Sequence, residues 1–291
     1  MINYLMVGIA DILLAVSFIL QNKYQQKNGS GIGSGLLFSI LTGGFSSVIF
    51  LALCGMKPEI SAYSIIMAFS QTALATGYTL ISFIILKKGS VALYTLFLMT
   101  GGMTVPYIWG VIFLNEPLTL MRSIGLVLII IAVALSNTGI KKPTVSQLLL
   151  CIVIFILNGF VSVVSKLHQI NTTYNPVGST DFVFWTSLIK FIVCIPVFMI
   201  FTKKDTEYKY TNTEIKGILP IVLASSAISG VSYILQLNGA SNLPATVIYP
   251  LITGGSIILS ALAGFIILGE KPSIQQIAGI VICFAGTLMF L

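Results

Sequence analysis

Ten apolar stretches, each roughly 19 to 25 residues long and separated by short polar gaps, take up most of this sequence. A helix needs about 20 apolar residues to cross the ~30 Å hydrocarbon core of a bilayer. Only helices and closed barrels satisfy their own backbone polar groups there, and runs this long exclude a barrel. The sequence therefore predicts an all-α, multi-pass integral membrane protein. Its helices are expected over 4–22, 33–54, 62–86, 91–114, 119–139, 146–168, 180–201, 215–236, 244–268 and 273–291. A mean hydropathy of +1.02 agrees, as do 8% charged residues against roughly a quarter in soluble domains. Fifteen Lys plus Arg against eight acids give a net charge of +7. Most of these cations sit in the gaps, so they bear on membrane orientation and give no sign of nucleic-acid binding.

A passage that occurs twice constrains the fold further. Gly101-Gly102 leads through an apolar run to Leu114-Asn115-Glu116-Pro117 and then Gly125, and Gly254-Gly255 leads likewise to Leu268-Gly269-Glu270-Lys271-Pro272 and Gly279. Lys23-Tyr24-Gln25-Gln26 parallels Lys166-Leu167-His168-Gln169, and Phe83 and Tyr233 each precede a glycine, Gly89 and Gly239, by the same spacing. These matches divide the chain into two five-helix repeats, 1–142 and 143–291. An odd number of helices per repeat makes the second half enter the membrane in the opposite sense. That inverted plan belongs to many secondary carriers, whose solute site lies near the bilayer midplane between the halves.

The small-residue stretch, the Leu-x-Glu-x turn with Pro, and the helix that follows with its Gly resemble the EamA branch of the drug/metabolite transporter superfamily. Residues 101–139 and 254–291 match best. Trp109-Gly110, Phe113 and Gly125 are also similar to the end of the small multidrug resistance proteins, four-helix relatives of one repeat. The resemblance implies export or exchange of a small organic solute such as an amino acid or a drug-like amine. It further implies a central cavity walled by helices one to four and six to nine, with helices five and ten outside, in a bacterial cytoplasmic membrane. Family members often carry Arg in helix two, where this sequence has Gly43-Gly44, and a cation stands instead in helix seven as Lys190. Pro106 and Pro250 also differ in their distance from the two glutamates.

Orientation reads two ways. Gaps after odd-numbered helices hold most of the lysines, which by the positive-inside rule puts both termini outside. The family resemblance implies cytoplasmic termini and is preferred. The first stretch lacks a basic leader and an A-x-A-like cleavage site, so it is expected to remain as a span.

Asp11 lies about halfway along the first stretch, where an isolated carboxylate costs several kcal/mol unless it is paired, hydrated or protonated. Burial disfavours the charged form of a carboxyl group, which makes Asp11 the candidate for proton coupling. The small multidrug relatives carry their coupling acid in the first helix, although alignment through Lys23 puts Ala15 at about that position. The alternative is a carboxylate hydrated at the interface near the end of a tilted helix. Lys190 stands some eight to eleven residues, ~12 to 16 Å, from either end of its span, too deep for its side chain to reach water easily. It reads as a counter-ion for a substrate carboxylate or phosphate, or as a partner for Asp11. If both face the cavity, together they hold the two charges of a zwitterion.

Gln71, Tyr78, Trp109 and Tyr233 are the remaining candidate cavity liners, against the alternative of interfacial anchors or ordinary core. Glu116 and Glu270 form the clearest family signature and read as structural caps on the helices that follow them. Gly125 with Ala132, and Gly279 with Gly286, make stripes of small residues that permit close helix packing in the scaffold or in a homodimer. Cys54, Cys151, Cys194 and Cys283 read as apolar thiols, and the one histidine, His168, cannot build a zinc site alone, so no metal and no cofactor are expected. GxxxxGK[ST] is absent, which argues against ATP-driven pumping. The lack of HExxH or a His/Asp cluster argues against an enzyme. What remains is a secondary transporter whose partners are a small-molecule solute and the lipid bilayer, with an uncoupled facilitator as the alternative.

Overall fold

The computed structural model describes residues 1–29, 31–87, 91–136, 143–202, 212–267 and 273–291. Among them it forms ten helices and no strand: α1 (Ile2–Asn28), α2 (Ile32–Leu53), α3 (Ala62–Lys87), α4 (Val91–Phe113), α5 (Leu120–Ser136), α6 (Val145–Ile170), α7 (Ser179–Thr202), α8 (Asn212–Asn242), α9 (Ala245–Ile267) and α10 (Ile274–Leu288). Each of the ten predicted stretches is helical over most of its described residues. Eight helices, α1 to α4 and α6 to α9, are long and apolar enough to cross a membrane. The other two, α5 with 17 residues and α10 with 15, are shorter apolar helices. At 1.5 Å per residue they reach only about 26 and 23 Å. Lys142, the last residue of the expected first repeat, the end of the fifth stretch, and the Leu268 to Pro272 turn with Glu270 lie outside the described residues.

Polar residues at the helix starts punctuate the chain. Thr144 caps α6 and Ser273 caps α10, each in a reciprocal capping box with the glutamine three residues on, Gln147 and Gln276. The turn after α4 carries Asn115 at φ 55°, a left-handed conformation that Asn tolerates better than most side chains. It folds Glu116 back until its N–H bonds the Gly110 carbonyl at 3.0 Å. In the second copy Gly269 stands at the matching position, outside the described residues.

Packing joins the two halves helix by helix. α1 packs on α8 and α9, α6 on α3 and α4, α2 on α7, α4 on α9, and α5 on α10. Exchanging each helix for the one five places away maps this set onto itself. α1 and α8 run in opposite directions: Lys27, late in α1, bonds the Gly217 carbonyl early in α8, while Val7 meets Gly239 near the end of α8. The C-terminal part of α6 bonds that same end of α8 through Lys166. So α1 begins at the end of the molecule where α6 finishes.

Glycines set the closest approaches. A Cβ on Gly101 would fall on the Phe155 backbone and one on Gly159 on Val105, so α4 and α6 touch nearly backbone to backbone. The stripes on α5 and α10 face each other: a Cβ added at Gly125 would lie 2.8 Å from the Gly286 carbonyl and one at Gly279 3.0 Å from that of Ala132. The largest buried apolar cluster lies where α4, α5, α9 and α10 meet, and includes Met103, Ile129, Val247, Ile248 and Cys283. A second, around Phe50, Phe182 and Leu237, ties α2 to α7 and α8.

Candidate functional site

A cavity of about 1040 Å³ opens between the halves, walled by α1, α2, α3, α4, α7 and α8. Its lining begins at the exposed Gln25, Gly29 and Gly31, where α1 turns into α2, and runs inward to Gln71, Val183, Gly230 and Tyr233. Helices α5 and α10 stand outside it. Contrary to what the family resemblance implies, α6 and α9 contribute no described wall residue, because their polar side chains close the inner end instead.

That inner end is a chain of hydrogen bonds. Gln71 Nε2 donates to the Tyr233 hydroxyl at 2.5 Å, which lies 2.9 Å from Ser165 Oγ on α6, and the Tyr249 hydroxyl on α9 donates to the Ser162 carbonyl at 2.6 Å. Gln71 Oε1 is buried without a partner. Replacing Gln71 with Leu therefore removes an unsatisfied oxygen along with the bond and should change stability by less than about 1 kcal/mol. Tyr233→Phe strands the Gln71 amide and should cost about 1–2 kcal/mol. Thermal melts of the two variants in detergent test that order.

Beyond this floor lies a second polar layer. Lys166 is buried, and its ammonium donates to the carbonyls of Ala240 and Leu243, both at 2.6 Å, at the end of α8. Glu116 accepts from the first two N–H groups of α9, Ala245 at 2.6 Å and Thr246 at 2.7 Å. The sequence suggested a cap on the helix directly following Glu116; the helix it reaches begins 129 residues away. Nearby, fully buried His168 pairs through Nε2 with Ser64 Oγ at 2.9 Å and stacks on Phe182. Ser64 Oγ also accepts the Val177 N–H at 3.0 Å, so this cluster binds α3, α6 and the start of α7.

Of the residues singled out from sequence, Lys190, Gln71, Tyr78 and Tyr233 line the cavity. Lys190 Nζ donates to Thr42 Oγ1 at 3.2 Å, and Thr42 in turn donates to the Phe38 carbonyl at 2.7 Å. Asp11 stands elsewhere. It is buried against Gly255 at the contact of α1 with α9, with Oδ1 lacking a hydrogen-bond partner. Asn158, which the Lys23–Lys166 register pairs with Ala15, packs against Gly102, the counterpart of Gly255, and donates to the Leu98 carbonyl at 2.7 Å. Trp109 packs at a tilt on Phe113 and edge-on to Phe160, its Nε1 buried and unbonded. Phe83's side chain and Gly89 lie outside the described residues.

Sequence reasoning did not find the roles of Thr42, Ser165 and Lys166. Only Lys166 carried a signal, a cation at the end of an apolar stretch. Three of the four cysteines are buried, all four are free, and Cys194 lines the cavity. Among the described residues no group of His, Cys, Asp and Glu is arranged to hold a metal ion.

A model of the EamA-like transporter family matches residues 145–291, just over half of the chain. A solved structure described only as "Crystal structure of protein" is 13% identical and superposes with a TM-score of 0.75, covering 99% of this chain and 96% of that one. At that identity the likeness speaks for the fold alone. No curated protein matches the sequence.

Proposed function

This chain belongs to the EamA-like transporter family, and from that premise we propose that it is a secondary carrier. It moves a small organic metabolite across a membrane by alternating access between two inverted five-helix repeats, with α5 and α10 as the outer spans that complete ten. The observation that carries this reading is the one-sided cavity between the halves. It reaches exposed helix ends on one side, while on the other the Gln71–Tyr233–Ser165 chain and the Lys166 and Glu116 bonds shut it. A channel needs a path through both ends; a carrier needs one end closed at a time.

The packing scheme that survives exchange of helices five apart, and the opposed directions of α1 and α6, support the inverted arrangement. Such repeats rock about a fixed central site. Nothing among the described lining residues resembles a catalytic constellation, which favours transport over chemistry. The bacterial cytoplasmic membrane is the location the family resemblance suggests.

The test is flux in liposomes. Stabilising solutes found by thermal shift, through ligand linkage, are loaded on one side and their exchange is followed from the other. Trans-stimulated exchange supports a carrier, and uptake indifferent to solute on the far side supports the uncoupled facilitator. Asp11 is the proposed proton carrier. Asp11→Asn should abolish the dependence of net flux on a proton gradient while leaving exchange intact; gradient-driven flux that persists in this variant removes Asp11 from that role.

A further inference from the structure

Resting on the carrier reading, we propose that the cavity selects organic anions, carboxylates or phosphate esters bearing hydroxyl groups, and that Lys190 is the charge that selects them. Among the described lining residues Lys190 is the one charged side chain; no Asp or Glu is among them. Asp11, the acid that would have received a substrate ammonium, is packed against Gly255 outside the lining. The ammonium of a zwitterion or an amine therefore finds no counter-charge among the described lining residues and meets a cation of its own sign.

The surroundings of Lys190 fit an anion. It stands near the middle of α7, far from either end of the helix, where low-dielectric walls focus its field into the cavity. Thr42 takes one of its three N–H donors and turns the ammonium toward α2, leaving two donors for a carboxylate or phosphate oxygen. Around it the walls are rich in hydroxyls, among them Ser39, Thr72, Thr76, Thr186, Ser187 and Ser229. Ser39, Thr186 and Ser229 donate to carbonyls of their own helices, at 3.1, 2.9 and 2.6 Å, and keep lone pairs that accept from solute hydroxyls, which suits a polyhydroxylated solute better than an apolar one. At about 1040 Å³ the cavity lies at the upper end of the usual range for small-molecule pockets and holds such a solute with accompanying water.

Charge preference is measurable without knowing the natural solute. Thr76→Cys, in a background with Cys54, Cys151, Cys194 and Cys283 replaced by Ala, is labelled with two thiol reagents of similar size, one carrying a sulfonate and the other a trimethylammonium group. The ratio of sulfonate to ammonium rates should fall at least tenfold when Lys190→Met is added and should be kept with Lys190→Arg. In parallel, D-gluconate, glycerol 3-phosphate, D-glucosamine and sorbitol are compared at equal ionic strength by thermal shift on the parent protein. The first two separate a carboxylate from a phosphate preference; one of them should stabilise, glucosamine should not, and Lys190→Met should lose the shift. The labelling ratio decides the charge preference whichever probe binds. A ratio that Lys190→Met leaves unchanged, or stabilisation by glucosamine equal to that of the anions, overturns the proposal. Either result leaves the carrier reading intact, since that rests on exchange flux.

Discussion

Lys166→Met is expected to lower the melting temperature of the detergent-purified protein by roughly 5 °C, the shift that about 3 kcal/mol produces in a chain of 291 residues. The last carbonyls of α8 have no intrahelical partner, as at any helix C-terminus. The usual glycine cap is unavailable, because Leu243-Pro244 leads at once into α9. The ammonium of Lys166 fills that role for both Ala240 and Leu243 from a different helix. Methionine preserves the length and apolar stem of the side chain but donates nothing. Two buried carbonyls then go unbonded, at about 1–3 kcal/mol each before relaxation.

Glu116→Gln is the paired measurement. Its carboxylate uses one oxygen for the N–H of Ala245 and the other for that of Thr246, and the amide keeps only one acceptor, so about half the effect is expected. Lys166→Arg, which retains charge and donors, should recover part of the loss. A Lys166→Met protein melting within 1–2 °C of the parent would show that this junction does not depend on the ammonium.

Gly101→Val is expected to do more damage, eliminating monodisperse protein after purification. The added carbon would overlap the backbone of Phe155, and even a Cβ on the reciprocal glycine of α6, Gly159, would run into Val105 and the Gly101 carbonyl. No rotamer change relieves a clash with main chain, so α4 and α6 would have to separate along their shared length. Overpacking of this kind costs about 1–3 kcal/mol where side chains can adjust and more where they cannot. Gly77→Ala is the contrast. Its nearest neighbour is Leu157 Cδ1 at 3.6 Å, an ordinary van der Waals distance, and alanine is the better helix former by about 0.8–1 kcal/mol. That variant should purify and melt like the parent or slightly above it. If Gly101→Val did the same, the backbone contact of α4 with α6 would be disproved.

The two intramembrane charges show how far sequence carries the site. Asp11 and Lys190 are conspicuous in one dimension, because a charge inside an apolar run is rare and costly. Nothing in one dimension says which wall each side chain faces. Lys190 faces the cavity, held by a threonine on α2 that is 148 residues away; Asp11 faces Gly255 on α9. The zwitterion reading required both in one space, and helix rotation puts them apart. Glu116 teaches the same lesson. Its type and its turn were visible, and even the need for Asn or Gly before it follows from the left-handed backbone there, but the recipient of its carboxylate is set by how the halves dock.

Local rules were enough for the positions of the helices and for the transporter family, since hydrophobic length and turn propensity act within a few residues of chain. Tertiary packing alone chose which helix faces meet, which six walls enclose the polar space, and which of two buried charges lines it. Those choices depend on interdigitation between segments more than a hundred residues apart, where replacing one glycine's hydrogen with a methyl group decides whether two backbones can touch.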